Sequence, residues 1–218
     1  MEWPEHLARA EERYRDGDSR LSSLDDPDAR QKQLTRIGNA AGAAGLALLM
    51  DGRADAAAEW FARAAERYRK SFPDAPPGSW GRPIGAVKSL LLAGDREGAE
   101  AASRWALEEG AAEAESPIGK YAACLALLVL ERDREARVLA DDLRTHEGFP
   151  VDVADSLAMI SAQDVPGYIL AVESVLESFE TREEYLEDMP VADTVLVLQA
   201  LAAQRDMATE LESPLLPW

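Results

Sequence analysis

Apolar residues recur at three- and four-residue steps along most of the chain, which is the spacing of amphipathic helices. Within 54–72, for example, Ala57, Phe61, Ala64 and Tyr68 fall on one face. No stretch alternates for long enough to indicate a set of strands. Aromatic residues make up only 6% of the chain, and the abundance of alanine and leucine favours helices. The pattern therefore predicts an all-α fold.

Turn-forming residues divide this pattern into about ten or eleven helices in antiparallel pairs. Ten can be delimited, at 4–24, 27–50, 54–72, 84–93, 97–109, 118–130, 135–145, 151–162, 166–179 and 191–205. Asp26-Pro27 is a helix-start signal, and Asp16-Gly17-Asp18 is expected to interrupt the first helix. Gly42 and Gly45 share one face of the second helix. A neighbouring helix is expected to pack closely there, because a glycine inside a helix costs about 1 kcal/mol.

The chain is long enough to form one domain with a sizeable core. We expect a single all-helical domain over 1–218, with an N-terminal helical cap at 1–34, helix-pair repeats at 35–180, and a closing helix and tail at 181–218. The nearly apolar segment Met189–Ala203 predicts a buried closing helix, with a homodimer surface as the alternative. The tail Ser213–Trp218 is expected to fold back, since two exposed leucines and a tryptophan would form an apolar patch.

One helix pair carries a recognisable repeat pattern. Counted from Gly45, the positions +3, +7, +12, +16 and +19 are Leu48, Gly52, Ala57, Phe61 and Ala64. This order of small, large, turn glycine, small, aromatic and small residues resembles the tetratricopeptide repeat. Looser units follow, with turns at Gly94, Glu131 and Gln163 spaced 42, 37 and 32 residues apart. The resemblance implies either a tetratricopeptide-like array or a compact, repeat-derived helical domain.

Acidic residues greatly outnumber basic ones, at 41 against 23, for a net charge of −18. Adaptation to a high-salt cytoplasm, or simply a GC-rich genome, would explain this excess, and acids spread along every helix favour that interpretation. The alternative is a surface that meets a basic partner or imitates a nucleic acid. Binding to DNA or RNA is disfavoured, because no basic stripe is present to neutralise phosphates.

Neither a membrane segment nor a secretion signal is predicted. The N-terminal segment is acidic and lacks an apolar core. The longest apolar run, Tyr121–Leu130, is about half as long as a bilayer crossing requires. We therefore expect a cytoplasmic protein that has no membrane partner. The single cysteine, Cys124, lies within this apolar run and is expected to be a buried small hydrophobe.

The best candidate for a binding site is the proline-rich segment 76–85, which carries Trp80 and Arg82. Long loops in compact domains are often functional, and tryptophan and arginine are enriched at binding hot spots. The alternative is that Trp80 only fills the core.

A second segment, 113–121, repeats the order of proline, isoleucine, glycine and then lysine. If the helix pairs stack in register, one face would carry Arg82, Lys88, Lys120 and Tyr121. Such a basic island would suit a carboxylate ligand. The alternative is that each of these residues pairs with a nearby acidic side chain.

Signals for catalysis are weak. His6 and His146 lie far apart in the sequence and lack metal-ligand spacing. Neither a serine nor Cys124 sits in a nucleophile motif. No glycine-rich loop of the phosphate-binding type follows a strand. Paired carboxylates on helix surfaces are usually solvated. We therefore predict no catalytic residue, no metal and no cofactor.

These observations favour a non-enzymatic protein–protein interaction or adaptor module that uses Trp80 and Arg82. The run SWGRPIGAVKSLLLAGD is similar to part of an all-α bacterial toxin immunity family, in which a tryptophan-led helix ends in Gly-Asp. This similarity implies an acidic inhibitor that approaches a basic nuclease by electrostatic steering. The alternative is a small-molecule-binding protein or enzyme that uses the basic island.

Overall fold

The computed structural model describes residues 2–217, which divide into two compact units. The first unit comprises the chain up to Arg96 together with Glu184–Val191. The second comprises Glu97–Glu183 and Ala192–Leu216. Among residues 2–217 there are ten α-helices, three short 3₁₀ turns and no strand, which confirms the all-α prediction. The assignment of one domain to the whole chain stays a prediction.

The first unit is built from four helices, α1 (Trp3–Arg20), α2 (Pro27–Met50), α3 (Ala54–Ser71) and α4 (Gly81–Leu92). Helix α2 packs against α1 and α3, and α3 packs against α4. As predicted, α2 begins at Pro27, and the Asp26 carboxylate accepts a hydrogen bond of 2.8 Å from the Ala29 N–H. This cap satisfies one of the amide groups that a helix start leaves without a partner.

The expected interruption of α1 at Asp16-Gly17-Asp18 is wrong, because α1 continues without a break to Arg20. Gly17 is buried, and a Cβ atom at this position would lie 2.8 Å from Cγ1 of Ile37. The Gln33 side chain also donates a hydrogen bond of 3.0 Å to the Gly17 carbonyl. The glycine therefore allows α1 to approach α2 closely and does not end the helix.

The expectation of close packing at two glycines of α2 is right for Gly45 and wrong for Gly42. A Cβ atom at Gly45 would lie 2.7 Å from the ring of Phe61, whereas one at Gly42 would meet nothing within 4 Å. The side chain of Phe61 is buried and reaches the Gly45 backbone from α3. Of these two glycines, only Gly45 is therefore needed for the close approach of α2 and α3.

A second aromatic ring on α3 contacts two glycines. Added Cβ atoms would lie 3.0 Å from the ring of Tyr68 at Gly38 of α2, and 2.7 Å from it at Gly85 of α4. The Tyr68 hydroxyl donates a hydrogen bond of 2.9 Å to Oδ1 of Asn39. The ring thus packs between α2 and α4, and neither glycine position has room for a methyl group.

The second unit contains six helices, α5 (Arg96–Glu108), α6 (Pro117–Val129), α7 (Asp133–Leu143), α8 (Val151–Ala162), α9 (Val165–Glu180) and α10 (Asp193–Ala203). Helix α7 packs against α6 and α8, α8 packs against α9, and α10 contacts both α8 and α9. Cys124 of α6 is fully buried, as expected, and burial raises the pKa of its thiol to about 12. Within residues 2–217, no helix combines the length and apolar character needed to cross a membrane.

Helix α10 closes the core of the second unit, as predicted. Its Val195, Leu198 and Leu201 side chains are fully buried. Arg205, just after the helix, forms an ion pair with Asp133 and donates a hydrogen bond of 2.8 Å to the Leu128 carbonyl. A largely buried guanidinium with these partners ties the end of α10 to the turn between α6 and α7.

The described part of the tail folds back, as predicted. Leu215 and Leu216 are buried, and the Leu215 carbonyl accepts a hydrogen bond of 3.0 Å from the Ala192 N–H. The Ser213 hydroxyl donates a further bond of 2.7 Å to the Glu180 carboxylate. Trp218, the other bulky residue of the predicted tail, lies outside the described residues.

Four helices end in the same kind of turn. The backbone is left-handed at Gly52, Gly94, Glu131 and Gln163, with φ angles of 74°, 69°, 56° and 54°. In each turn the left-handed residue donates its N–H to the carbonyl three residues before it. The residue that follows donates its N–H to the carbonyl five residues before itself. This is the Schellman arrangement of helix ends. Residues five, nine and twelve positions later are buried in all four units, so the register of the aligned units is present in the structure.

The two glycines of α2 provide a matched test of this packing. Gly45→Ala should lower the free energy of unfolding by about 1–3 kcal/mol, because the new methyl group must displace the Phe61 ring. Gly42→Ala should raise it by up to about 1 kcal/mol, because alanine favours the helix and has open space there. Urea denaturation of both variants measures the difference. Equal effects of the two substitutions would contradict the packing described for Gly45.

The shared turn provides a second test. Gln163→Gly should raise the free energy of unfolding by roughly 0.5–1 kcal/mol, because glycine adopts the left-handed conformation without the steric cost that glutamine has. Gly52→Ala is the reverse control. It should lower the free energy of unfolding by about 1 kcal/mol through the backbone alone, since nothing lies within 4 Å of the added Cβ. A Gln163→Gly variant no more stable than the wild type in urea would show that this conformation is not strained.

Candidate functional site

The connection between α3 and α4 is a folded loop with an exposed tip. Backbone hydrogen bonds join Ala75 N–H to the Phe72 carbonyl (3.0 Å) and Ser79 N–H to the Pro76 carbonyl (3.2 Å). Gly78 is the third residue of the second turn and has a φ of 80°, a conformation that favours glycine. Most residues from 73 to 78 are exposed. The loop therefore presents its proline-rich tip in one defined conformation.

Trp80 lies at the point where this loop enters α4. Its side chain is half-buried and packs against Phe72, with the ring centroids 6.1 Å apart. Helix α4 begins at Gly81, three residues earlier than the predicted start at Ile84. Pro83 suits the first turn of a helix, where its missing N–H has no helical partner to lose. Trp80 is therefore the residue before the helix, and Arg82 belongs to the first turn.

Arg82 joins the start of α4 to two other helices. Its Nε donates a hydrogen bond of 3.1 Å to the Ser71 hydroxyl at the end of α3, and its Nη2 donates to Oε1 of Gln31 on α2. The Gln31 side chain is almost fully buried, and its Nε2 donates in turn to Asp28 at 3.0 Å. Partial burial of the guanidinium lowers the pKa of Arg82. Arg82 therefore holds the end of the loop in place.

Lys120 and Tyr121 lie in the first turns of α6, in the second unit. The Ser116 hydroxyl caps this helix by accepting a bond of 3.2 Å from the Gly119 N–H. Nζ of Lys120 lies 2.6 Å from Oδ2 of Asp142 and 3.1 Å from Nε2 of His146. The hydrogen bond from Lys120 holds the pKa of the Asp142 carboxyl below its usual value.

The predicted site residues fall on two elements. Arg82 and Lys88 lie on α4, with Lys88 half-buried further along the helix, and Lys120 and Tyr121 are neighbours on α6. The Tyr121 ring packs 5.5 Å from the Phe149 ring. The Pro-Ile-Gly run opens α6, whereas in α4 it begins at the third helical residue, because that helix starts at Gly81. The joining of these four side chains into one basic island stays a prediction.

The feature that sequence reasoning missed is the unequal division of charge. The first unit contains 18 acidic and 15 basic residues, a formal charge of −3. The second contains 23 acidic and 8 basic residues, a formal charge of −15. Acidic residues are abundant in both units, and the difference in net charge arises mainly from the scarcity of basic residues in the second unit. A count on either side of Arg96 would have found this asymmetry, since the preceding part of the chain has equal numbers of acids and bases.

The acids of the second unit cannot be neutralised by its own basic residues. At least six of its eight basic residues already form ion pairs within the unit, namely Arg104–Glu100, Lys120–Asp142, Arg132–Glu135, Arg137–Asp141, Arg144–Asp155 and Arg205–Asp133. The remaining acidic residues exceed the remaining basic ones several-fold. An excess of this size produces a negative potential that extends into the solvent.

Each histidine contacts a charged side chain close to it in sequence. His6 lies 3.1 Å from Arg9 and packs on the Trp3 ring, and burial together with Arg9 lowers its pKa. His146 takes part in the ion-pair group with Lys120 and Asp142. In the part of the chain that the structure describes, no three His, Cys, Asp or Glu side chains come together in a way that could hold a metal ion.

Comparison with known proteins finds no family model, no curated protein and no solved structure that matches this chain.

Replacing Arg82 tests its position in the loop. Arg82→Ala should lower the free energy of unfolding by about 1–3 kcal/mol, because the buried amide oxygen of Gln31 loses its donor. Arg82→Lys should recover only part of this loss, since an ammonium group cannot span both acceptors as the guanidinium does. Urea denaturation measures both changes. Arg36→Ala, at an exposed position of α2, is the control, and its change should stay within about 0.5 kcal/mol. If Arg82→Ala matched this control, the hydrogen bonds of Arg82 would contribute nothing to stability.

Proposed function

We propose that this chain is a non-enzymatic protein-interaction module whose second unit binds a basic protein partner. The observation that carries the proposal is the division of formal charge, −15 in the second unit against −3 in the first. Charge asymmetry between parts of a chain is typical of proteins that bind an oppositely charged macromolecule. Adaptation to high salt would instead be expected to give both units a similar net negative charge.

The negative potential should increase the rate at which a basic partner associates with the second unit. A field of one sign attracts an oppositely charged partner from a distance and increases the rate of encounter, more strongly at low ionic strength. It also repels anionic macromolecules, including nucleic acids. A basic protein is therefore the partner that fits this surface best.

A tetratricopeptide-like scaffold is part of the proposal. The four Schellman turns and the equivalent buried positions that follow them support this resemblance. Stacked helix pairs of this kind commonly serve as binding scaffolds, although fold alone does not determine function.

An immunity-type inhibitor of a basic toxin is the most specific form of this proposal. Its support is local: α4 begins directly after Trp80 and ends at the Gly94-Asp95 turn, which is the arrangement that the resemblance to the immunity family implies. The folded loop before Trp80 would then offer a second, pre-organised contact with the partner. Pre-organisation increases affinity because less conformational freedom is lost on binding.

The alternative, a small-molecule-binding protein or enzyme, is supported by no specific contact. Arg82 gives hydrogen bonds to Gln31 and Ser71, and Lys120 interacts with Asp142 and His146. A carboxylate ligand would have to displace these partners.

Charge reversal in each unit separately tests the proposal. One variant carries Glu113→Lys, Glu115→Lys and Glu147→Lys, which change the formal charge of the second unit from −15 to −9. The matched control makes the same change of six charges at exposed positions of the first unit, with Glu12→Lys, Glu59→Lys and Asp74→Lys. Each chain is immobilised, exposed to lysate of the native cells at low and high salt, and the captured proteins are identified by mass spectrometry.

The expected result is capture of one or more basic proteins by the wild type and the first-unit variant. The second-unit variant should lose most of this capture, and high salt should weaken it for all three chains. Equal capture by the two variants, or captured proteins without a basic character, would contradict the proposal.

A further inference from the structure

The solvent-facing side of α9 is apolar in its first half and acidic in its second half. Val165 is 40% exposed and Leu170 is 71% exposed, and the exposed Pro166 and half-buried Ile169 lie between them. Isolated exposed apolar residues are common on protein surfaces. These four residues, however, lie side by side on one face of a single helix, over about one and a half turns.

The acidic half follows directly. Glu173 and Glu177 are exposed and lie one and two turns beyond Leu170 on the same side of α9. The opposite side of the helix, with Tyr168 and Val172, is fully buried in the second unit. The outward side of α9 therefore combines an apolar area with a neighbouring pair of carboxylates.

Helix α7 also carries an exposed apolar residue followed by an acidic one, at the same distance from the preceding turn. Val138 is 69% exposed and lies seven residues after the turn at Glu131, just as Leu170 lies seven residues after the turn at Gln163. On α7, Asp141 follows three residues after Val138, just as Glu173 follows three residues after Leu170 on α9. In the first unit, the position seven residues after the turn at Gly52 is occupied by a glutamate. The apolar-then-acidic order is thus absent from the first aligned unit.

We propose that the outward side of α9, formed by Val165, Pro166, Ile169, Leu170, Glu173 and Glu177, binds a basic segment of the partner protein that carries an apolar side chain. This inference rests on the proposed function and names the surface through which it operates. The apolar side chain packs on Leu170, which is 71% exposed. Basic side chains pair with Glu173 and Glu177, at about 5 and 10 Å from Leu170 along the helix axis, given a rise of about 1.5 Å per residue.

Charge complementarity selects this occupant over two others. A second copy of the chain would bring another unit of charge −15 to a surface of the same sign, and like charges oppose such an association. An anionic lipid surface is repelled for the same reason. A basic segment with an apolar anchor gains both from burying Leu170 and from the ion pairs beside it.

Two fluorescein-labelled peptides of identical composition test the inference by fluorescence anisotropy. In the first peptide, leucines occupy one end of a helix-forming sequence and arginines the other, and in the second the same residues are interspersed. The full chain should bind the segregated peptide several-fold more tightly, because only this peptide can place an apolar end on Leu170 and a basic end on the two glutamates.

Matched variants locate the binding surface. Leu170→Ser should weaken binding of the segregated peptide about tenfold, and Glu173→Gln with Glu177→Gln should weaken it about fivefold. The controls are Leu186→Ser, at an equally exposed leucine of the first unit, and Glu97→Gln with Glu108→Gln, which remove the same charge on α5 of the second unit. Each control should change the affinity by less than about twofold.

The outcomes separate the site from the function. Equal affinity for the two peptides, or equal losses in the control variants and the α9 variants, would overturn the α9 site. It would leave a diffuse acidic field that still binds basic partners, so the proposed function would stand. Binding of neither peptide would overturn the α9 site, and capture of no basic protein in the lysate experiment would overturn the function itself.

Discussion

The ring of Tyr68 is the contact on which the architecture of the first unit depends. It packs against Gly38 of α2 and Gly85 of α4 so closely that neither helix tolerates a side chain at the contact. The same residue also supports the candidate loop, because its carbonyl accepts a hydrogen bond of 2.8 Å from the Ser71 hydroxyl, which in turn accepts from Arg82. The position of the loop is therefore a consequence of core packing.

The periodic pattern was sufficient to predict the helices, because an amphipathic period depends only on residues close in sequence. It could not distinguish Gly17, Gly42 and Gly45, since the role of each is decided by whether Ile37, Phe61 or nothing approaches it from another helix. For the same reason, neither the Gln31 partner of Arg82, 51 residues away, nor the Asp142 partner of Lys120 was predicted. A charge count along the chain would have indicated the division, but the boundary of the units is revealed only by the contacts.

The second unit preserves a backbone geometry through changes of residue type. Its turns at Glu131 and Gln163 adopt the left-handed conformation that glycine occupies at Gly52 and Gly94. Packing of the flanking helices must compensate for the local steric cost at these two positions. The same unit also carries most of the net charge and two strongly exposed apolar residues, Val138 and Leu170. Helix pairs joined by such turns hold their surface side chains at a fixed spacing.

The burial of Cys124 has a practical consequence for studying the two units. It is the only cysteine in the sequence and belongs to the second unit, which also contains the buried Trp105, whereas Trp3, Trp60 and Trp80 belong to the first. The thiolate is the reactive form of cysteine, and a fully buried thiol with a pKa of about 12 reacts only when its surroundings open. The rate of thiol labelling therefore reports the opening of the second unit alone, while tryptophan fluorescence reports on both units. The natural chain thus contains a reporter that is specific to the second unit.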